Sequence, residues 1–469
     1  MSAEQASTVT PSTSTLGTER PNLRALAGHV PGPGGLFSGW KLLNDPLPFI
    51  EKNFRQYGDL VHVRLAGFHV YTVAHPEGIK HVLQDNHRNY RKSADYKLLA
   101  RILGQGLVTS EGDLWLRQRR LMQPMFHRRK IAAFGAMMTD CALEMLERWR
   151  GFADRDEAFD ATAEMMRLTL HIVGRALLTM DLTTQADSIG RNMTIANERF
   201  GHADIGMLAP WLPTPTNLRF KNAVGHLRQI VLDIIAKRRD EGRDYGDLLS
   251  MLLAVRDEET GEGMNNEQLR DEVLTLILAG HETTATALSW TWYLLSQHPE
   301  VERKLHAELD AVLDGRAPTI GDLANLNYTG MVIDEAMRLY PPVWAIGREA
   351  IEADEIMGCR IPKGGNIMAS QWLAHRHPAF WENPERFDPE RFSAERAAGR
   401  PRYAYFPFGG GPRMCIGNIF ALTEAQLVLA TVAQRYRLRL APHHPIELQP
   451  LITLRPLHGV KVVLERRGN

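Results

Sequence analysis

A cysteine framed by glycines is the residue of this chain best placed to do chemistry. Phe408 to Gly417 reads FGGGPRMCIG, and Cys415 is one of only three cysteines. A thiolate that binds a metal is favoured by N–H groups aimed at its sulfur and by a helix N-terminus nearby. Gly409, Gly410, Gly411 and Gly417 let backbone approach a sulfur closely, and the apolar stretch Ile416 to Val432 predicts a helix opening just beyond it. The expectation is a thiol whose pKa is lowered at the positive end of that helix. The same letters also fit a buried, inert cysteine in a turn before a helix.

A second constellation is LAGHETTA, Leu278 to Ala285, inside the helical pattern Asn265 to Ser296. Gly280 costs about 1 kcal/mol against alanine in a helix interior, and threonine hydroxyls can capture a carbonyl four residues back. A local distortion is expected there. Ala279 and Thr283 fall at i and i+4, so a small residue and a hydroxyl share one face with the acid Glu282 alongside. Third, EAMR places Glu335 and Arg338 at i and i+3, and FDPERF offers Arg391 farther on. Fourth, WLRQRR sets Trp115 and Arg119 one helical turn apart, an indole donor and a guanidinium on one face.

The elements that must carry these groups are mostly helices. Amphipathic patterns run over Lys130 to Asp154, Ala161 to Thr179, Asn217 to Glu241, Val301 to Leu313 and Tyr328 to Leu339. The alternation in LVHVRL and HVYTVA, broken at Ala66 and Gly67, predicts a hairpin, and short strands return after Pro341 and in GVKVVLER. HVPGPGG, from His29, reads as a rigid turn, and GMLAPWLPTPTN, from Gly206, as a proline-rich loop with Met207, Leu208 and Trp211 on show. The fold class is mainly α with small peripheral β-sheets in one large domain.

The balance of 55 basic and 55 acidic residues leaves no net charge, so a nucleic-acid footprint is absent. Cys141, Cys359 and Cys415 are odd in number and widely spaced, which argues for a reducing, cytoplasmic setting. Residues 1–25, rich in serine and threonine, read as a disordered tail. No run reaches the roughly 18 to 20 apolar residues of a membrane span, so no anchor is expected.

Phe408, Gly411, Arg413, Cys415 and Gly417, taken with Glu282 and Thr283, resemble the signatures of the cytochrome P450 family. The resemblance extends over nearly the whole chain after residue 30, and residues 26–469 would form one catalytic domain. It implies a heme-thiolate monooxygenase in which Cys415 is the axial ligand of the iron of heme b, Phe408 shields the sulfur, and Ala279, Gly280 and Gly417 lie against the cofactor. Arg413, Trp115, Arg119 and Arg348 would clamp the heme propionates. Glu335, Arg338 and Arg391 would form a buried charge triad bracing the cysteine loop. Thr283 would hydrogen-bond bound dioxygen while Glu282 connects protons from solvent. Leu276, Ala279, Val343, Trp344, Ile346, Ile452 and Thr453 would line the pocket of a lipophilic substrate such as a fatty acid, terpenoid, steroid or polyketide, and the loop from Gly206 would cover its entrance. The co-substrate is O2, with electrons ultimately from NAD(P)H through a reductase and a ferredoxin or flavodoxin-type donor. Arg117, Arg120, Arg128, Arg129 and Lys130 offer a docking patch for that donor, or else a plain solvated surface. A peroxide-dependent or hydroperoxide-rearranging enzyme and a non-catalytic heme sensor are the other readings, and the Glu282–Thr283 pair argues against both.

Overall fold

The computed structural model describes residues 29–34, 38–65, 68–179, 183–199, 212–257 and 261–468. The tail, the hairpin break at Ala66 and Gly67, and Met207, Leu208 and Trp211 of the proline-rich loop lie outside the described residues.

A five-stranded sheet forms one side of the molecule. Its strands β1 (Leu60–Leu65), β2 (Phe68–Val73), β3 (Tyr90–Lys92), β4 (Ile346–Ala350) and β5 (Asn366–Ala369) lie in the order β1-β2-β5-β4-β3. Only the β2/β5 pair is parallel. The segment read as a turn from His29 instead runs beside β1, where His62 donates its N–H to the Pro31 carbonyl at 2.8 Å.

Helices make up the rest. Among those that precede the amphipathic pattern beginning at Lys130 are α1 (Asp95–Leu103) and α2 (Gly112–Met122). The pattern expected as one helix from Lys130 is divided into Arg128–Ala132 and α3 (Gly135–Arg155). Gly135 opens α3 where a Cβ would lie 2.3 Å from Ile320, so the close approach of that side chain requires glycine.

At the centre runs α5 (Asn266–Gln297), packed against α4 (Ala161–Leu178). Asn265 and Gln268 close a capping box at its start, satisfying two of the orphan donors there. Gly280 faces α4: a Cβ would meet the Val173 methyl at 2.9 Å. The helix continues unbroken through Gly280, so the expected distortion does not develop. Two further helices, α6 (Asn327–Leu339) and α7 (Asn418–Ala433), pack against α5 and each other. They bury Val332, Ile333, Leu427, Val428 and Leu429 in the main hydrophobic core. A small hairpin near the C-terminus, β6 (Leu448–Pro450) and β7 (Leu454–Pro456), reaches back to α5. Among the described residues no helix is long and apolar enough to cross a membrane.

Candidate active site

The loop before α7 presents Cys415. Its N–H donates to the Phe408 carbonyl at 2.9 Å, and the Gly409 N–H donates to the Phe406 carbonyl at 2.9 Å. Gly411 takes φ +63°, and a Cβ on it would lie 1.8 Å from the Leu83 carbonyl oxygen, so only glycine fits. The Tyr403 hydroxyl accepts the Gly411 N–H at 3.1 Å and donates to Gln84 at 2.9 Å, tying this loop to the segment after β2. The Cys415 side chain is open to an internal cavity rather than to bulk water. Burial pushes its thiol up from the ordinary value, while the Gly417 N–H and the Arg119 guanidinium pull the other way. The expected lowering of this pKa is therefore corrected. One N–H and a helix start do not outweigh desolvation, and a bound metal cation is what strips the proton from such a thiol.

The cavity beside the sulfur measures about 320 Å3. From the expected set it gathers Cys415, Phe408, Gly417, Ala279, Gly280, Thr283, Leu276, Val343 and Ile346 into one lining, together with Trp115, Arg119, Arg348 and Arg413. Arg413 lies 4.3 Å over the Trp115 ring and pairs with the Glu111 carboxylate. Arg119 donates to the Met414 carbonyl at 2.8 Å, which fixes it beside the cysteine. Sequence reasoning missed Lys92 and Glu111. Lys92 stands opposite Arg348 across the β3/β4 pair and lines the cavity, with its ammonium on the Ser110 carbonyl at 2.5 Å. Burial, aided by Arg413 and Arg348, lowers it to about 7. Three basic groups crowded together with the acids Glu111 and Glu272 suit a ligand that brings negative charge of its own. A thiol, two small residues of α5 and a cationic edge in one apolar cavity fit a heme with its two propionates.

On α5 the Thr283 hydroxyl donates to the Ala279 carbonyl at 2.6 Å, the back-bond its spacing allows. Thr284 does not repeat it and instead faces Glu424 of α7, whose carboxyl burial pushes well above the usual range. Glu282 lies outside the cavity lining and is 2 % exposed. It accepts hydrogen bonds from the Arg455 Nε at 2.7 Å and from the Thr453 hydroxyl, and the Arg455 Nη2 lies 2.5 Å away. The acid expected to open toward solvent is thus held by the β6/β7 hairpin, and Arg455 had no sequence signal. Three expected pocket residues lie elsewhere for the same reason. Thr453 is turned onto Glu282, Trp344 donates its indole N–H to the Leu451 carbonyl at 3.0 Å, and Ile452 sits in the tip of that hairpin, none of them in the cavity lining.

Glu335 of α6 is wholly buried with Arg338 and Arg391. Its two oxygens accept from the Arg338 Nε at 2.6 Å and Nη2 at 2.8 Å, from the Arg391 Nε at 3.2 Å and from the Asp388 N–H at 2.9 Å. Both guanidiniums spend their remaining N–H groups on carbonyls of residues 375–386, the stretch that leads into the cysteine loop.

Comparison with known proteins agrees with this geometry. The family profile described as Cytochrome P450 matches residues 34–460. Cyclooctatin synthase of Streptomyces melanosporofaciens is 41% identical over 437 residues, which is 91% of this chain and 93% of that protein. Cyclooctat-9-en-7-ol 5-monooxygenase of the same organism is 38% identical, covering 92% and 94%. Pentalenene oxygenase of Streptomyces avermitilis is 35% identical, covering 92% and 95%. The crystal structure of the cytochrome P450DA heme domain superposes with a TM-score of 0.85 at 26% identity, over 94% of this chain and 99% of that one. With its cysteine loop, its cationic cavity edge and a profile that matches residues 34–460, this chain belongs to the cytochrome P450 family.

Proposed function

We propose that this heme-thiolate monooxygenase oxidises a cyclic terpenoid, with Cys415 as the proximal ligand of its heme iron. One observation carries the reading: a single apolar cavity joins the Cys415 sulfur to Ala279 and Thr283 of α5 and to the cations Lys92, Arg119, Arg348 and Arg413. When bound, heme supplies the iron chemistry that activates O2 for insertion of one oxygen atom into the substrate.

The residues of the chain do the rest. Arg119 favours the thiolate over the thiol, and Phe408 covers the sulfur. Arg348, Arg413 and Lys92, with Trp115 beneath Arg413, are the residues that would hold the heme propionates through charge-assisted hydrogen bonds. The Thr283 proton is committed to the Ala279 carbonyl, so its lone pairs are free to accept a hydrogen bond on the cavity side. Glu282, braced by Arg455, is the acid through which protons reach that stretch of α5. Leu276, Val343, Ile346, Val173 and Leu177 exclude water and offer the substrate only hydrocarbon. Pentalenene and cyclooctat-9-en-7-ol, named for two of the relatives, are cyclic terpenoids, which supports that class here.

Electrons come from NAD(P)H through a reductase and a ferredoxin-type donor, for which the exposed Arg128, Arg129 and Lys130 offer an electropositive landing. The cytoplasm, where those partners work, is the compartment this reading requires, and residues 26–469 are its catalytic domain. The test is turnover of a cyclic terpenoid panel by the heme-loaded protein, with NADPH, reductase and ferredoxin in one arm and hydrogen peroxide alone in the other. Oxygenated product only in the first arm is expected; product only with peroxide overturns the proposal.

A further inference from the structure

The roof of the cavity comes from residues 104–110, where Leu107 and Val108 join the lining. Helix α1 ends against Gly104, whose φ is +61°. A Cβ on Gly104 would lie 2.0 Å from the Asp271 carboxylate, and one on Gly106 would lie 2.1 Å from the Thr275 hydroxyl. The two glycines therefore let this backbone lie flat on the first turns of α5. Two adjacent acids of that helix then grip it. Asp271 accepts the Gln105 N–H at 2.7 Å, and Glu272 accepts the Leu107 N–H at 3.0 Å. From the opposite side Gln118 of α2 donates to the Gln105 carbonyl at 2.6 Å, and the Thr109 and Ser110 N–H groups both return to the Gly106 carbonyl.

The grip is incomplete. The Glu272 Oε1 and the Thr275 hydroxyl are buried without a hydrogen-bond partner among the described residues. Burying polar atoms unpaired is costly, and lifting the roof would give both atoms water. The closed arrangement is thus held by two amide bonds against a standing penalty, a balance suited to a segment that must both define a cavity and yield.

We propose that Asp271 and Glu272 are positioning residues for substrate selection, which clasp the Gln105 and Leu107 amides so that Leu107 and Val108 close the cavity over compact substrates and lift for larger ones. This rests on the monooxygenase reading above. Neither carboxylate touches substrate; each acts through the loop it holds.

The test uses heme-loaded wild type, Asp271→Ala, Glu272→Ala and Glu272→Gln. Amide hydrogen exchange of the 104–110 segment is read by mass spectrometry. Spectral titrations follow the heme-coordinating probes imidazole, 4-phenylimidazole and 1-dodecylimidazole. Both alanine variants are expected to exchange the Gln105 and Leu107 amides about tenfold faster, as a lost buried acceptor implies. They should also bind 1-dodecylimidazole about fivefold better relative to 4-phenylimidazole. Glu272→Gln, which keeps an acceptor oxygen, should restore exchange and probe preference to within about twofold of wild type. Should the alanine variants not load heme, Gly106→Ala, which must push the loop off Thr275, is expected to shift both readings in the same direction. Wild-type exchange together with wild-type probe preference in the alanine variants, or in Gly106→Ala, overturns the clasp. A wild-type protein that gives no azole response at all would instead strike at the monooxygenase reading beneath it.

Discussion

Replacing Arg455 with methionine removes the cation that holds Glu282. That carboxylate is 2 % exposed and has the Arg455 Nη2 2.5 Å away, and it also accepts a hydrogen bond from the Thr453 hydroxyl. Breaking a buried ion pair from one side typically costs about 3 to 5 kcal/mol, because a charge is left without compensation. Thr453 stays in place and the Arg455 side chain is 15% exposed, which puts the cost at the low end, about 3 kcal/mol. An unfolding entropy of about 2.1 cal/mol/K per residue over 469 residues is roughly 1 kcal/mol/K, so the melting temperature should fall by about 3 °C. Glu282→Gln together with Arg455→Met removes both charges, and the double variant should recover about 2 kcal/mol relative to the sum of the singles. The assay is a double-mutant cycle by thermal melting of heme-loaded protein, with product formed per NADPH consumed as the functional arm. That ratio should drop in Arg455→Met if the pair holds the acid in place for proton delivery. A single variant that melts within about 1 °C of wild type, with a coupling energy near zero, would refute the reasoning.

Cys415→Ser should abolish the red-shifted absorption of the reduced carbon monoxide complex; a surviving band would remove Cys415 from the iron. Glu335→Gln strands two buried guanidiniums at about 3 to 5 kcal/mol, and heme occupancy of the purified protein, read by the ratio of Soret to protein absorbance, should fall sharply. Burial raises the Glu272 pKa from 4.5 to about 8, so its protonated form favours the fold. That contribution is complete below pH 4.5 and is lost as pH rises to about 8, up to about 5 kcal/mol at 1.36 kcal/mol per unit. Asp271 and Lys92, the charged neighbours that also act on Glu272, are common to wild type and Glu272→Gln. The melting temperature of the glutamine variant should therefore rise relative to wild type between pH 5.5 and 8, and parallel curves would count against it.

What could be read in the letters was whatever local spacing fixes. Glu335 and Arg338 at i and i+3 must share a helix face, and the glycines around Cys415 announce a backbone that bends sharply and approaches other atoms closely; Gly411 against Leu83 is the physical content of that signal. Helix positions followed for the same reason, since a 3.6-residue period needs no knowledge of the partner. The errors lie where a side chain has a choice of faces or a partner far along the chain. Thr453 and Ile452 sit in a hairpin tip, where a turn of one residue exchanges cavity for core, and no periodicity says which. Glu282 sits on a helix whose Ala279 and Thr283 face the cavity, yet one residue is 100° of rotation, enough to carry its carboxylate to a hairpin 171 residues away. Lys92 and Glu111 met Arg348 and Arg413 only because two strands, a helix start and the cysteine loop converge, and the clasp on Leu107 joins residues 165 apart. The cysteine loop was legible because its glycines mark a short stretch of tightly constrained backbone. The contacts proposed to control it, Arg455 on Glu282 and Asp271 and Glu272 on the 104–110 segment, are ones that only the folded chain assembles.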